Sequence, residues 1–154
     1  MSPAARRFEE DDARPRRSRS RRPAQATRAA GATTPGEVTC ELLGGSADAI
    51  SIKTARTGFT DSQRVLHQCE GLGVELVMGN QIDGQIGTAC TVAFGAAHET
   101  TSRRAGELSN FLDMSDDLLA EPLTITGGVL PVPAGTGLGL RIDDEKVARY
   151  RQDA

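Results

Sequence analysis

The stretch SADAISIKTARTGFTDSQ, Ser46 to Gln63, carries a lysine in a position suited to chemistry. Lys53 is one of two lysines in the chain and ends a short apolar run. Read with period two, Ile50 and Ile52 share one face, while Ala49, Ser51 and Lys53 share the other. The branched face suits packing under helices. The opposite face runs from small to polar to cationic, so a rigid strand can aim the amine.

The other reactive residues offer less. Cys40, Cys69 and Cys90 are far apart, with no CxxC pair. An odd count without metal-ligand spacing reads as reduced thiols in a cytoplasmic protein. Cys69 and Cys90 also fall on the apolar stripes of predicted helices and are expected to be buried. His67 and His98 have no ligand partner at useful spacing and are read as surface residues. The run GTGLGL near Gly135 mimics a phosphate loop, but it leads toward a strand where such a loop opens a helix. DMSDD, Asp113 to Asp117, reads as a helix start, where acids suit the dipole.

The elements that would position Lys53 come in regular order. Pro35 opens a helix over Glu37–Leu43, which Gly44-Gly45 ends. Strand Ala49–Lys53 follows. TDSQ, Thr60 to Gln63, has the form of a capping box opening a helix with Val65, Leu66, Cys69 and Leu72 on one face. VELVM, Val74 to Met78, is a second strand and GNQIDG a turn. Ile86, Ala89, Cys90, Ala93, Phe94 and Ala97 then mark an amphipathic helix, and ELSNFLD, Glu107 to Asp113, reads as a third strand. This alternation defines parallel βα units, and the pattern alone admits a doubly wound sheet or a barrel. Beyond it, Ser115 opens a short helical turn through Leu119, LTITGGVLPV reads as a hairpin around Gly127-Gly128, GLGLRID as a strand, and DDEKVARYR as a surface helix.

Composition divides the chain. Of 154 residues, 38% are hydrophobic and 3% aromatic, so one modest core rests on Leu, Ile, Val and Ala. The net charge of −3 hides an asymmetry. Residues 1–35 hold nine arginines against four acids, net +5, leaving nine basic and seventeen acidic residues downstream, net −8. The arm has one large hydrophobe, Phe8, and no periodicity, and is expected to be disordered. RPRRSRSRR could neutralise phosphates as a nucleic-acid arm. Its exclusive use of Arg with Ala, Pro and Gly is also what frameshifted or upstream translation of a GC-rich gene would give. No apolar run approaches the ~20 residues of a membrane span, and no h-region follows the basic start.

Ser46–Gly58, MGNQIDGQIGTA at Met78–Ala89, GELSNFLDM at Gly106–Met114, and the segment from Ala120 to Arg151 together resemble the C-terminal part of the muconate lactonizing enzymes (muconate cycloisomerases) of the enolase superfamily. The resemblance runs from about Thr34 to Gln152. It implies an α/β fold: a partial (β/α) barrel with its last three strands and their helices over 36–114, a hairpin, strand and helix extension over 115–154, and the arm at 1–35. It places Lys53 at the catalytic rim as acid/base, with Glu107 helping to fix lysine and substrate. Asp83, Asn80 and Gln81 would order the turn or line the substrate pocket. It further implies Mn²⁺ or Mg²⁺ and a small dicarboxylate substrate in the complete, homo-oligomeric enzyme. The family's metal carboxylates and its second lysine lie on strands this chain is expected to lack, so the piece is read as inactive alone. Two alternatives stand beside it: another superfamily member of dipeptide epimerase or acid-sugar dehydratase type, or a non-enzymatic, nucleic-acid-associated protein using the arginine arm.

Overall fold

The structure, a computed structural model, describes residues 29–30 and 34–152; the remainder of the arginine arm lies outside the described residues. Elements follow in the order β1 (Ala29–Ala30), α1 (Pro35–Leu43), β2 (Ala49–Ile52), α2 (Thr54–Leu72), β3 (Glu75–Met78), α3 (Gln85–Ala97), α4 (Glu99–Ser102) and, after a 3₁₀ turn at Asn110–Asp113, α5 (Asp144–Tyr150). No helix among the described residues is long and apolar enough to cross a membrane.

The sheet is parallel, in the order β1-β2-β3, so each crossover moves one strand over in a single direction. A parallel crossover is right-handed in nearly all proteins, and successive right-handed steps in one direction put every helix on one face. The core confirms that placement. Ile50 and Ile52 of β2 and Leu76 and Met78 of β3 pack with Val38 of α1, Val65, Leu66 and Cys69 of α2, and Phe94 of α3. Burying each large aliphatic side chain there stabilises the fold by about 1.5–3 kcal/mol. A doubly wound sheet would have helices on both faces. The observed winding is that of a barrel wall.

Local chemistry explains the ends of the elements. Thr34 caps α1, its hydroxyl accepting from the Glu37 amide at 3.2 Å, with Pro35 in the first turn. Gly73, at φ 64°, ends α2 by returning its amide toward Cys69 and Glu70. Gly127 and Gly128, both at positive φ, form the turn of the expected hairpin, closed by reciprocal Thr126–Val129 backbone bonds of 3.0 Å. Asp143 caps α5 by accepting from the amides of Glu145 and Lys146.

Several sequence expectations are corrected. Order extends upstream of Gly36, since Ala29–Ala30 pairs with Ala49–Ile50. The capping box at Thr60–Gln63 does not form; α2 already starts at Thr54 and breaks at Gly58 (φ 66°, ψ 171°), where only the absence of a Cβ makes the conformation easy. Leu72 is exposed at the end of that helix. The strand expected over Glu107–Asp113 shrinks to one bridge at Glu107 before the 3₁₀ turn. Its inward residues are Leu108 and Phe111, three apart, which suits a helical turn better than a period of two. Ser115–Leu119 is not helical, because its acids are engaged elsewhere: Asp117 binds the Gln85 amide at 2.7 Å and the Leu118 amide, while Asp116 holds Lys146. The expected strand at GLGLRID reduces to Ile142 bridging Leu119, since Gly135, Gly137 and Gly139 all take positive φ. His98 is half-buried, its ring 4.8 Å from that of Phe94, whereas His67 is exposed as expected.

Candidate active site

Lys53 is the last residue before α2, and its backbone is held from both sides. Its carbonyl accepts from the Arg56 and Thr57 amides of α2 at 2.9 and 3.2 Å and from the Thr57 hydroxyl at 3.1 Å. The residue before it, Ile52, receives the Gly79 amide at 2.9 Å. Register fixes its direction. Ser51 pairs with Val77 and Ile52 with Met78, so Lys53 falls opposite Gly79. A Cβ built on Gly79 would meet Ser51 Oγ at 2.6 Å, Lys53 Cε at 3.5 Å and Lys53 Cγ at 3.8 Å. Met78 lies in the core under the helices, so Gly79 faces the other way, and Ser51 and Lys53 share its face.

Glu107 extends the same row. It bridges Gly79 in parallel, its amide donating to the Met78 carbonyl at 3.0 Å and its carbonyl accepting from the Asn80 amide at 2.8 Å. Lys53, Gly79 and Glu107 thus lie across the C-terminal strand ends, with Ser51 Oγ and the Lys53 stem packed over Gly79. Two strand spacings separate the backbones of Lys53 and Glu107, about 10 Å. Among the described residues neither side chain has a hydrogen-bond or ion-pair partner.

The other sequence candidates gather on the turn after β3 but turn in different directions. Asp83 is buried and its carboxylate accepts from the Gln81 amide at 3.2 Å, tightening the turn. Asn80 points back to α3, donating to Thr88 Oγ1 at 2.7 Å, and its Oδ1 is buried without a partner. Gln81 is exposed and accepts from Arg56 at 3.4 Å. Arg56 and Gly79 were not singled out from sequence. The only signal for Arg56 is its place three residues after Lys53, in the first turn of α2. For Gly79 it is a glycine ending the apolar run of β3.

Two further features bear on the chemistry. A cavity of about 450 Å³ lined by Gly84, Gly87, Asp117, Leu118 and Tyr150 lies between the start of α3 and α5, away from Lys53. Among the described residues no three His, Cys, Asp or Glu side chains converge as a metal would require. The residues present therefore do not fit the divalent ion implied by resemblance, and no step is assigned to it.

A singly wound parallel βα wall is the architecture of α/β barrel proteins, a class whose active sites lie at the C-terminal strand ends. The family described as Enolase C-terminal domain-like matches residues 31–147. The chain belongs to that family. It is similar in structure to muconate lactonizing enzyme from Mucobacterium Smegmatis, with 67% identity and a TM-score of 0.78 over 81% of this chain and 35% of that one. The muconate lactonizing enzyme from Pseudomonas Fluorescens, solved in complex with muconolactone, is 28% identical with a TM-score of 0.69, over 76% of this chain and 32% of that one. Muconate cycloisomerase 1-1 of Acinetobacter lwoffii is 32% identical over 108 residues, 70% of this chain and 28% of the relative. The chain thus spans about a third of the length of these relatives.

Proposed function

We propose that this chain is the C-terminal part of a muconate cycloisomerase, contributing Lys53 as the strand-end acid/base for interconverting cis,cis-muconate and muconolactone. The observation that carries this reading is the row Lys53–Gly79–Glu107 on the helix-free face of the sheet. In the lactone-forming direction a carboxylate oxygen of the substrate closes on the diene, and the carbon beside the other carboxylate takes a proton. Lys53 supplies that proton from a backbone fixed by strand and helix, and recovers it in reverse. Gly79, having no Cβ, leaves room for Ser51 and the Lys53 stem on this face, and Glu107 stands one strand beyond it. The Asp83 turn, with Gln81 and Arg56, borders the entrance. The reading also makes the chain inactive by itself, since half a rim holds one end of a small dicarboxylate and lacks the opposing groups.

The test is reconstitution. The purified chain is mixed with cis,cis-muconate and Mn²⁺, and loss of the diene chromophore is followed with and without the complementary N-terminal two thirds of the Mucobacterium Smegmatis relative. The chain alone should give no turnover. The mixture should turn over substrate, and Lys53→Ala should reduce its rate by about 10²–10⁴-fold, the usual contribution of a general acid/base. Turnover by the chain alone, or a reconstituted rate indifferent to Lys53→Ala, overturns the reading.

A further inference from the structure

Lys53 leads into a short turn that the rest of α2 does not carry. The helix breaks at Gly58, so Thr54–Thr57 is a separate turn whose position depends on what holds it from outside. Thr54, the residue after Lys53, is buried, and its hydroxyl lies 2.7 Å from that of Thr91 on α3. Thr91 gives its one hydroxyl proton to the Gly87 carbonyl at 3.1 Å, so Thr54 donates and Thr91 accepts. Across the break, Thr57 gives its proton to the Lys53 carbonyl and accepts from the buried Ser62 hydroxyl.

The next strand end is held by the same helix. Asn80, the residue after Gly79, is buried and donates to Thr88 Oγ1 at 2.7 Å, while its backbone amide holds the Glu107 carbonyl at 2.8 Å. Thr88 and Thr91 are both fully buried and stand three apart on α3. Residues three apart on a helix have Cβ atoms about 5–6 Å apart, and neighbouring strands lie about 4.8 Å apart. Lys53 falls opposite Gly79, so Thr54 and Asn80 each stand one residue past paired positions. One turn of α3 thus spans one strand spacing.

We propose that Thr88 and Thr91 are positioning residues that act through Asn80 and Thr54 to set the spacing between Lys53 and Glu107. Its meaning for catalysis rests on the proton transfer proposed for Lys53. In a buried site a valine would pack as a threonine does, and replacing both partners of a hydrogen bond by apolar groups of the same shape leaves stability nearly unchanged. What the hydroxyls add is direction: each fixes one strand end against a common helix.

Hydrogen exchange on the full chain tests this without any activity. The Thr54→Val/Thr91→Val chain should unfold in urea near the wild-type midpoint. Its Arg56 and Thr57 amides, which donate to the Lys53 carbonyl, should nevertheless exchange about tenfold faster relative to the Leu66 and Leu76 amides of the core. Thr88→Val should act in the same way on the Asn80 amide. Thr91→Ser and Thr88→Ser, which keep the hydroxyls, should restore the wild-type pattern. In the reconstituted mixture, the double valine variant should lower kcat roughly 10- to 100-fold at unchanged KM, because a displaced acid loses rate and not binding. Thr91→Ser should keep most of that rate. Acceleration of all amides by one factor, or of none, overturns the proposal, since the threonines would then serve general stability or nothing. So does a rate lost through KM alone, or a serine variant that behaves as the valine one. A mixture indifferent to Lys53→Ala refutes the reaction instead, and the exchange pattern then decides the positioning by itself.

Discussion

Replacing Gly79 by alanine tests the face assignment on which Lys53 depends. The added methyl would sit 2.6 Å from Ser51 Oγ, against an optimum of about 3.5–4.0 Å for such contacts, so the hydroxyl must move by roughly 1 Å. Lys53 Cε, at 3.5 Å, is in ordinary contact and can stay. Overpacking of this kind costs about 1–3 kcal/mol. Ser51 is short and can rotate to another staggered well, which places the cost near the lower end. Removing a glycine from an extended segment recovers about 0.5–1 kcal/mol of chain entropy. The expected net loss for Gly79→Ala is therefore at most about 0.5 kcal/mol. Ser51 makes no side-chain hydrogen bond among the described residues, so Ser51→Ala should be nearly neutral by itself. In that background the methyl meets no oxygen, and Gly79→Ala should become neutral or stabilising. Urea unfolding of the four proteins closes the cycle. A coupling of about 1 kcal/mol, read as a midpoint difference of roughly 0.5 M at a slope of about 2 kcal/mol/M, is expected. Additive effects would mean that Ser51 does not overlie Gly79, and the row containing Lys53 would dissolve with it.

Leu66, 1% exposed in the core between α2 and the sheet, should lose about 2–5 kcal/mol as alanine, and urea unfolding at a midpoint near wild type would refute the helix placement. The Lys146 ammonium, the Asp117 amide and the Tyr150 hydroxyl hold the Asp116 carboxyl at about 2. An unfolded aspartate titrates near ~3.9, so the unfolded chain binds more protons in between. Stability from this group is thus present above about pH 4 and is lost as pH falls toward 2; Asp116→Asn should flatten that part of the unfolding profile, and an unchanged slope would dismiss the network. Burial pushes the Cys69 thiol up to about 11, whereas Cys40 is exposed. Under native conditions at pH 8 alkylation mapped by mass spectrometry should mark Cys40 first and Cys69 only on unfolding, and equal rates would contradict the core.

How much of this was legible in the sequence follows from the range of each signal. β2 and β3 were readable because Ile50, Ile52, Leu76 and Met78 recur at a period of two, with Ser51, Lys53 and Glu75 on the opposite face, and that alternation is a local property. The direction of Lys53 followed from the same parity. What failed depended on partners distant in sequence. Ser115–Leu119 has the acids of a helix start, yet Asp117 is used 32 residues away to satisfy the first amide of α3, and Asp116 is used by α5. Gly84 makes room for that contact: a Cβ there would lie 2.8 Å from Asp117 Oδ2. The inward turn of Asn80 toward Thr88 was equally hidden, because a residue just past a strand end has no period to fix its side.

The aim of Lys53 does not require the rest of a barrel. Ile50 and Ile52 are buried at 0% and 2% exposure on one face of β2, and inverting the strand would place both against water and Lys53 in the core. At about 1.5–3 kcal/mol for each isoleucine, together with several kcal/mol for burying an unpaired ammonium, the alternative register is excluded by far more than thermal energy. The Thr57 and Arg56 bonds to the Lys53 carbonyl then set the point at which strand becomes helix. The segment's own core therefore positions the lysine, whatever else the proposed reaction requires. Positioning is enforced from the helix side of the sheet, whereas the proposed proton transfer takes place on the opposite side.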